Sequence, residues 1–185
     1  AYGKNVLINS KSRNAWWLSK CFWAVSCVFT YFILMWVIII IFCVCGAGKL
    51  TLNVSKPLIF KMIPMPSENV FLSEGDFFSN RYLTCQMLLM PFLIVSALSV
   101  MQMAVSLVIK PFFSFCISAG ILVLSAYYLN PLLLGNYAMS QRNDLLIDNG
   151  VNTKTGIVFS LALLVLSCVV GLFIFRRYDI LNKED

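Results

Sequence analysis

The chain has 185 residues, of which 60% are hydrophobic and 12% charged, with a net charge of +6. A soluble domain of this size shows about 45–50% apolar and about 25% charged residues, so the composition excludes an ordinary water-soluble globule and points to an integral membrane protein. The cations flank apolar segments, where membrane orientation accounts for them without a nucleic-acid partner.

The first feature in chain order is a basic and aromatic collar, "NSKSRNAWWLSK" (residues 9–20), with three cations, two tryptophans and no acid. It leads into the first of four stretches that reach the ~20 mostly apolar residues a hydrocarbon core requires. These lie at about 22–46, 82–109, 112–134 and 156–175. They predict an all-α polytopic transmembrane bundle, a single transmembrane domain over 1–185. Gly46 and Gly48 close the first span, as glycine does at helix C-termini. The outer loop 47–81 holds "KPLIFKMIPMP", which is too apolar to float in water and is expected along the membrane surface. "SEGD" (Ser73–Asp76) then offers an N-cap serine with an acid three residues on.

The second and third spans are broken only by Lys110 and Pro111. One continuous helix over both would be roughly 80 Å long at 1.5 Å per residue, so the chain must reverse there. Proline suits the first turn of the new helix, and lysine can reach the headgroups. With the N-terminus inside, the cytoplasmic pieces 1–21, 110–111 and 176–185 hold eight cations in 33 residues. The outer pieces 47–81 and 135–155 hold six in 56. This bias predicts that both termini are cytoplasmic.

Several chemistries are excluded. There is no histidine, which removes the commonest general base and most zinc sites. All eight acids lie outside the spans, so neither paired carboxylates nor a proton relay stands at membrane depth. No phosphate-binding loop is present. Six of the seven cysteines lie inside apolar runs and Cys21 at the edge of one, so they read as small apolar filler rather than a disulfide scaffold. Cys43 and Cys45 diverge on a helix by about 200°. No catalytic residue, cofactor site or metal site is expected. The spans hold instead neutral polar groups: Gln86, Gln102, Asn130 and serines including Ser96, Ser99, Ser106, Ser118, Ser125, Ser160 and Ser167. They read either as interhelical glue or as a weakly polar path, for which Gln102 is the candidate because a deep amide is costly without a partner.

Three motifs carry a resemblance. "SKSRNAWWLSK" resembles the cytoplasmic segment between the second and third helices of bacterial type-2 ABC exporter permeases. "SAYYLNPLLLGNYAMSQR" (Ser125–Arg142) is similar to the outer end of their fifth helix and the segment after it, and "FIFRRYDIL" (Phe173–Leu181) to the ending of their last helix. The family has six spans per subunit, so the resemblance places this chain as the last four and implies either a C-terminal part of a permease, which the start at Ala1 favours, or a truncated relative.

The resemblance implies a permease that exports a substrate with energy from a separate ABC ATPase, which would carry the ATP and magnesium. A second permease copy or homologous permease would complete the path, within the lipid of the cytoplasmic membrane. Carried over by residue, it implies ATPase docking at Ser10, Lys11, Ser12, Arg13, Trp16, Trp17 and Lys20. It also implies a re-entrant outer hairpin at the exit, involving Tyr127, Tyr128, Asn130, Pro131, Gly135 and Tyr137. The residues alone leave simpler readings open: cations that set topology and aromatics that sit at the headgroups. A non-transport accessory or immunity factor binding a partner complex is the alternative function.

Overall fold

The computed structural model describes residues 12–47, 81–144 and 149–177. The predicted features of the 48–80 loop, including the "SEGD" cap, lie outside them. Among the described residues the protein is all-helical, with α1 (Arg13–Ala47), α2 (Arg81–Val105), α3 (Pro111–Tyr127), the single turn α4 (Gly135–Ala138) and α5 (Thr153–Arg177). A 3-10 turn occupies Ser140–Arg142. The sole strand-like pairing among these residues is an isolated parallel bridge between Asn143 and Val151.

Three helices are long and apolar enough to cross a membrane: α1, α2 and α5. The third expected span, 112–134, is helical only over the 17 residues of α3. Its shortening has a local cause. Pro131 has no backbone N–H to donate and biases Asn130 away from helix, and Tyr128 at the helix end is already extended (φ −114°, ψ 126°). The hairpin reverses as expected. The helix ends at Val105, a turn covers 106–109, and Pro111 occupies the first turn of α3.

The bundle has two ends, set by which residues meet. At one of them, the basic end, the start of α1 packs against the finish of α2 and α5: Trp17, Cys21, Val100, Ala104 and Phe175 form one buried cluster. At the other, Met90, Ile94 and Leu98 of α2 meet Leu134, Tyr137 and Val151. Helices α2 and α5 therefore run parallel and share the largest interface. That interface uses small residues. The buried residues of α5 are Thr153, Gly156, Ser160, Ser167, Gly171 and Phe175, and the buried residues of α2 include Ser96, Ala97 and Ala104. In lipid, helices associate by close packing rather than by a hydrophobic drive, and small residues permit it. The buried face of α3 is serine, at Ser114, Ser118 and Ser125. Ser114 donates across the hairpin to the Gln102 carbonyl at 2.6 Å, while Ser118 and Ser125 donate to carbonyls of their own helix, Ser114 O and Ile121 O.

Helix α1 is about 52 Å long at 1.5 Å per residue, more than the ~30 Å hydrocarbon core. Its first half packs on the bundle, with Phe29 and Phe32 edge-on to Phe92. Beyond Trp36 its residues are exposed and apolar up to Gly46.

Candidate functional site

The collar begins with Ser12, whose Oγ accepts the Ala15 N–H at 3.2 Å and caps α1. No acid stands in the first turn of α1, and Arg13 there opposes the helix dipole. Its position is explained by α5. Arg13 Nη1 donates to the Arg176 carbonyl at 3.2 Å, so the cation lies at a helix C-terminus, where the dipole favours it. Arg176 Nε in turn donates to Asn14 Oδ1 at 2.8 Å. The two chain segments clasp each other.

Tryptophans close the clasp. Trp16 stacks on Phe175 at 4.8 Å and 9°, and Lys20 Nζ lies 5.3 Å from the Trp16 ring centroid, a cation–π contact. Trp17 is 1% exposed. Its Nε1 donates to the Cys168 carbonyl at 3.0 Å, and its ring lies against Gly171, where a Cβ would overlap Trp17 Cζ2. Only glycine admits it.

At the opposite end the chain folds back into a cap. After α3, the chain turns at Asn130–Pro131, where Asn130 Oδ1 accepts the Leu132 N–H at 2.9 Å, an Asx turn. It then dips back to bury Leu134, Gly135, Asn136 and Tyr137. Gly135 N–H donates to Ser125 Oγ at 3.2 Å, and a Cβ on Gly135 would lie 2.6 Å from Ser125 Cβ. Tyr137 OH donates to the Pro131 carbonyl at 2.8 Å. The ring lies against Gly156, where a Cβ would stand 2.5 Å from Tyr137 Cδ1.

Two further residues hold this cap together. Asn136 Nδ2 donates to the carbonyls of Tyr128 (3.0 Å) and Asn130 (2.8 Å). Arg142 Nη1 donates to Ser125 O at 2.5 Å, to Tyr128 O at 3.3 Å and to Asn136 Oδ1, while Nη2 donates to Ala126 O at 2.6 Å. The guanidinium thus satisfies carbonyls that the end of α3 leaves without helical partners, and α3 has no basic residue in its own last turn. Val151 N–H to Arg142 O at 2.7 Å and Asn143 Nδ2 to Thr153 Oγ1 at 2.7 Å tie the cap to the start of α5.

The sequence matches, over residues 1–181, a family described as "Protein of unknown function (DUF2705)". The chain belongs to that family. No curated protein matches it, and no solved structure does.

On this DUF2705 chain, the expected docking residues fall into three groups. Ser10 and Lys11 lie outside the described residues. Trp17 is enclosed, and Trp16 is half-buried against Phe175, so both join α1 to α5. Ser12, Arg13 and Lys20 are exposed, with Phe22 and Trp23 uncovered one turn further on. In the cap, Tyr127, Tyr128, Asn130 and Pro131 are exposed, whereas Gly135 and Tyr137 are buried. Gln102 is half-buried and lines a notch of about 270 Å³ of mixed character with Ser99, Met103, Ser106 and Pro111, near the hairpin turn. The more enclosed amide is Gln86, whose buried Oε1 has no partner among the described residues. Sequence reasoning misses Arg142 and Asn136. Their signal there is indirect: a helix ending at a proline break, with no nearby cation of its own, needs donors from further along the chain.

Among the described residues no group of three or more histidine, cysteine or acidic side chains could hold a metal ion.

Proposed function

We propose that this chain is a membrane-spanning permease subunit of an ATP-driven ABC exporter, working with a separate ATPase and a second permease. The observation that carries this reading is the clasp at the basic end. A partner pressing on Ser12, Arg13 and Lys20 would act on a segment joined to α5 by Trp16, Trp17, Phe175 and Arg176, so a push at the surface would reach a spanning helix. A loose topology signal would have no need of that coupling.

Two further features support the reading. The basic end carries Arg13, Lys20, Lys110, Arg176 and Arg177, in keeping with a cytoplasmic face. Helix α3, about 25 Å long at 1.5 Å per residue, makes the fourth crossing, completed at the outer side by the re-entrant cap. Irregular backbone at membrane depth survives only where protein or water satisfies it, and Arg142, Asn136 and Ser125 supply that here. A satisfied, tightly packed cap is suited to closing an exit. The transported substrate would be a peptide, drug or lipid-like molecule, given spans without charge.

Charge reversal at Lys11 and Arg13 is the test. The double variant should insert normally, lose association with the ATPase and uncouple ATP hydrolysis from transport. Normal association and normal transport would remove the docking hypothesis.

A further inference from the structure

At the basic end, α2, the turn after it and α5 enclose a groove of about 410 Å³ that is apolar apart from Ser167. One wall includes Val105 and Ile109, and the other is the stripe Leu163, Leu166, Val170 and Ile174. The next position on that stripe is Arg177, three residues beyond Ile174 and on the same helical face. The residue after Ile109 is Lys110. Both cations are exposed, and among the described residues no acid stands at this end. The groove therefore has an apolar floor and a basic rim at one end only.

We propose that this groove holds one anionic phospholipid, with an acyl chain along α5 and its phosphate at Lys110 and Arg177. Basic pockets between spanning helices at the cytoplasmic level are suited to anionic headgroups, and an apolar floor that ends in cations on one side only matches an acyl chain headed by a phosphate. From Leu163 to Ile174 the groove follows α5 for about 16 Å at 1.5 Å per residue, long enough for an acyl chain to lie along it. The site rests on membrane insertion of the bundle with the basic end at the headgroups and does not depend on the exporter reading.

The test is native mass spectrometry of the full chain in mild detergent, offered equal amounts of phosphatidylglycerol and phosphatidylethanolamine. One phosphatidylglycerol should be retained in preference. Lys110→Gln with Arg177→Gln should lower that preference at least about tenfold, and Lys110→Arg with Arg177→Lys should keep it. Val170→Trp should expel the adduct by filling the groove. If that variant misfolds, the two exposed rim positions decide alone. Equal retention of both lipids, or a preference that survives the rim variants, would overturn the site. So would a disulfide-linked dimer through Val170→Cys in a background with the seven native cysteines replaced by serine, which would place a second copy in the groove.

Discussion

Gly171→Ala puts a methyl group into space that Trp17 already fills: its Cβ would overlap Trp17 Cζ2 and stand 2.8 and 2.9 Å from Cε2 and Cη2. Overpacking of this kind costs about 1–3 kcal/mol. If Trp17 gives way, its bond to the Cys168 carbonyl goes too, worth about 1 kcal/mol, and its stacking on Phe175 at 5.9 Å weakens. Alanine returns about 1 kcal/mol of helix propensity, leaving a net loss of about 1–3 kcal/mol. Gly120 in α3 supplies the control, because a Cβ there meets nothing within 4 Å. Gly120→Ala should be neutral or stabilising by up to about 1 kcal/mol. Thermal unfolding in micelles, followed by tryptophan emission, reads both changes. Gly171→Ala should melt several degrees lower than the parent and shift emission to the red, by a component absent in Trp17→Phe. A Gly171→Ala protein that melts like Gly120→Ala with unshifted emission would refute the packing argument.

Three other outcomes are expected from the geometry. Arg142→Ala should strip donors from the carbonyls of Ser125, Ala126 and Tyr128 and cost about 2–3 kcal/mol; Arg142→Lys should recover only part of this, and protease cleavage within 129–142 should rise in the same order. Tyr137→Phe should lose the bond to the Pro131 carbonyl and lower stability by about 1 kcal/mol, read as a lower melting temperature than the parent in micelles. Cys168 packs against the buried cluster that contains Cys21, so in a background with the other five cysteines replaced by serine, oxidant should link them within one chain, and Cys21→Ser should abolish the link.

The helical class and the Lys110–Pro111 reversal are legible in the sequence, because run length and a proline beside a lysine carry that information locally. The extent of the third span is not. Leu132, Leu133 and Leu134 continue its apolar character past the break, and hydropathy does not register that Asn130 and Pro131 turn the chain or that Arg142 waits to receive the freed carbonyls. The collar shows the same limit. A tryptophan beside lysines reads as an interfacial residue, and the burial of Trp17 depends on Gly171, more than 150 positions away. Segments whose role is set by a distant partner are those that periodicity leaves open. Gln102 stands out over Gln86 in the sequence for its depth in the run; enclosure, which ranks them the other way, depends on neighbouring helices.

As the proposed permease of an ATP-driven exporter, the chain should travel with an ATPase. The most direct measurement is purification of the native protein from its own membranes in mild detergent, with every co-purifying chain sequenced. An exporter permease should bring down a stoichiometric partner carrying a phosphate-binding loop, released by charge reversal at Lys11 and Arg13. Recovery of a soluble peptide or an unrelated membrane complex, with no such ATPase, would contradict the claim and favour an accessory factor.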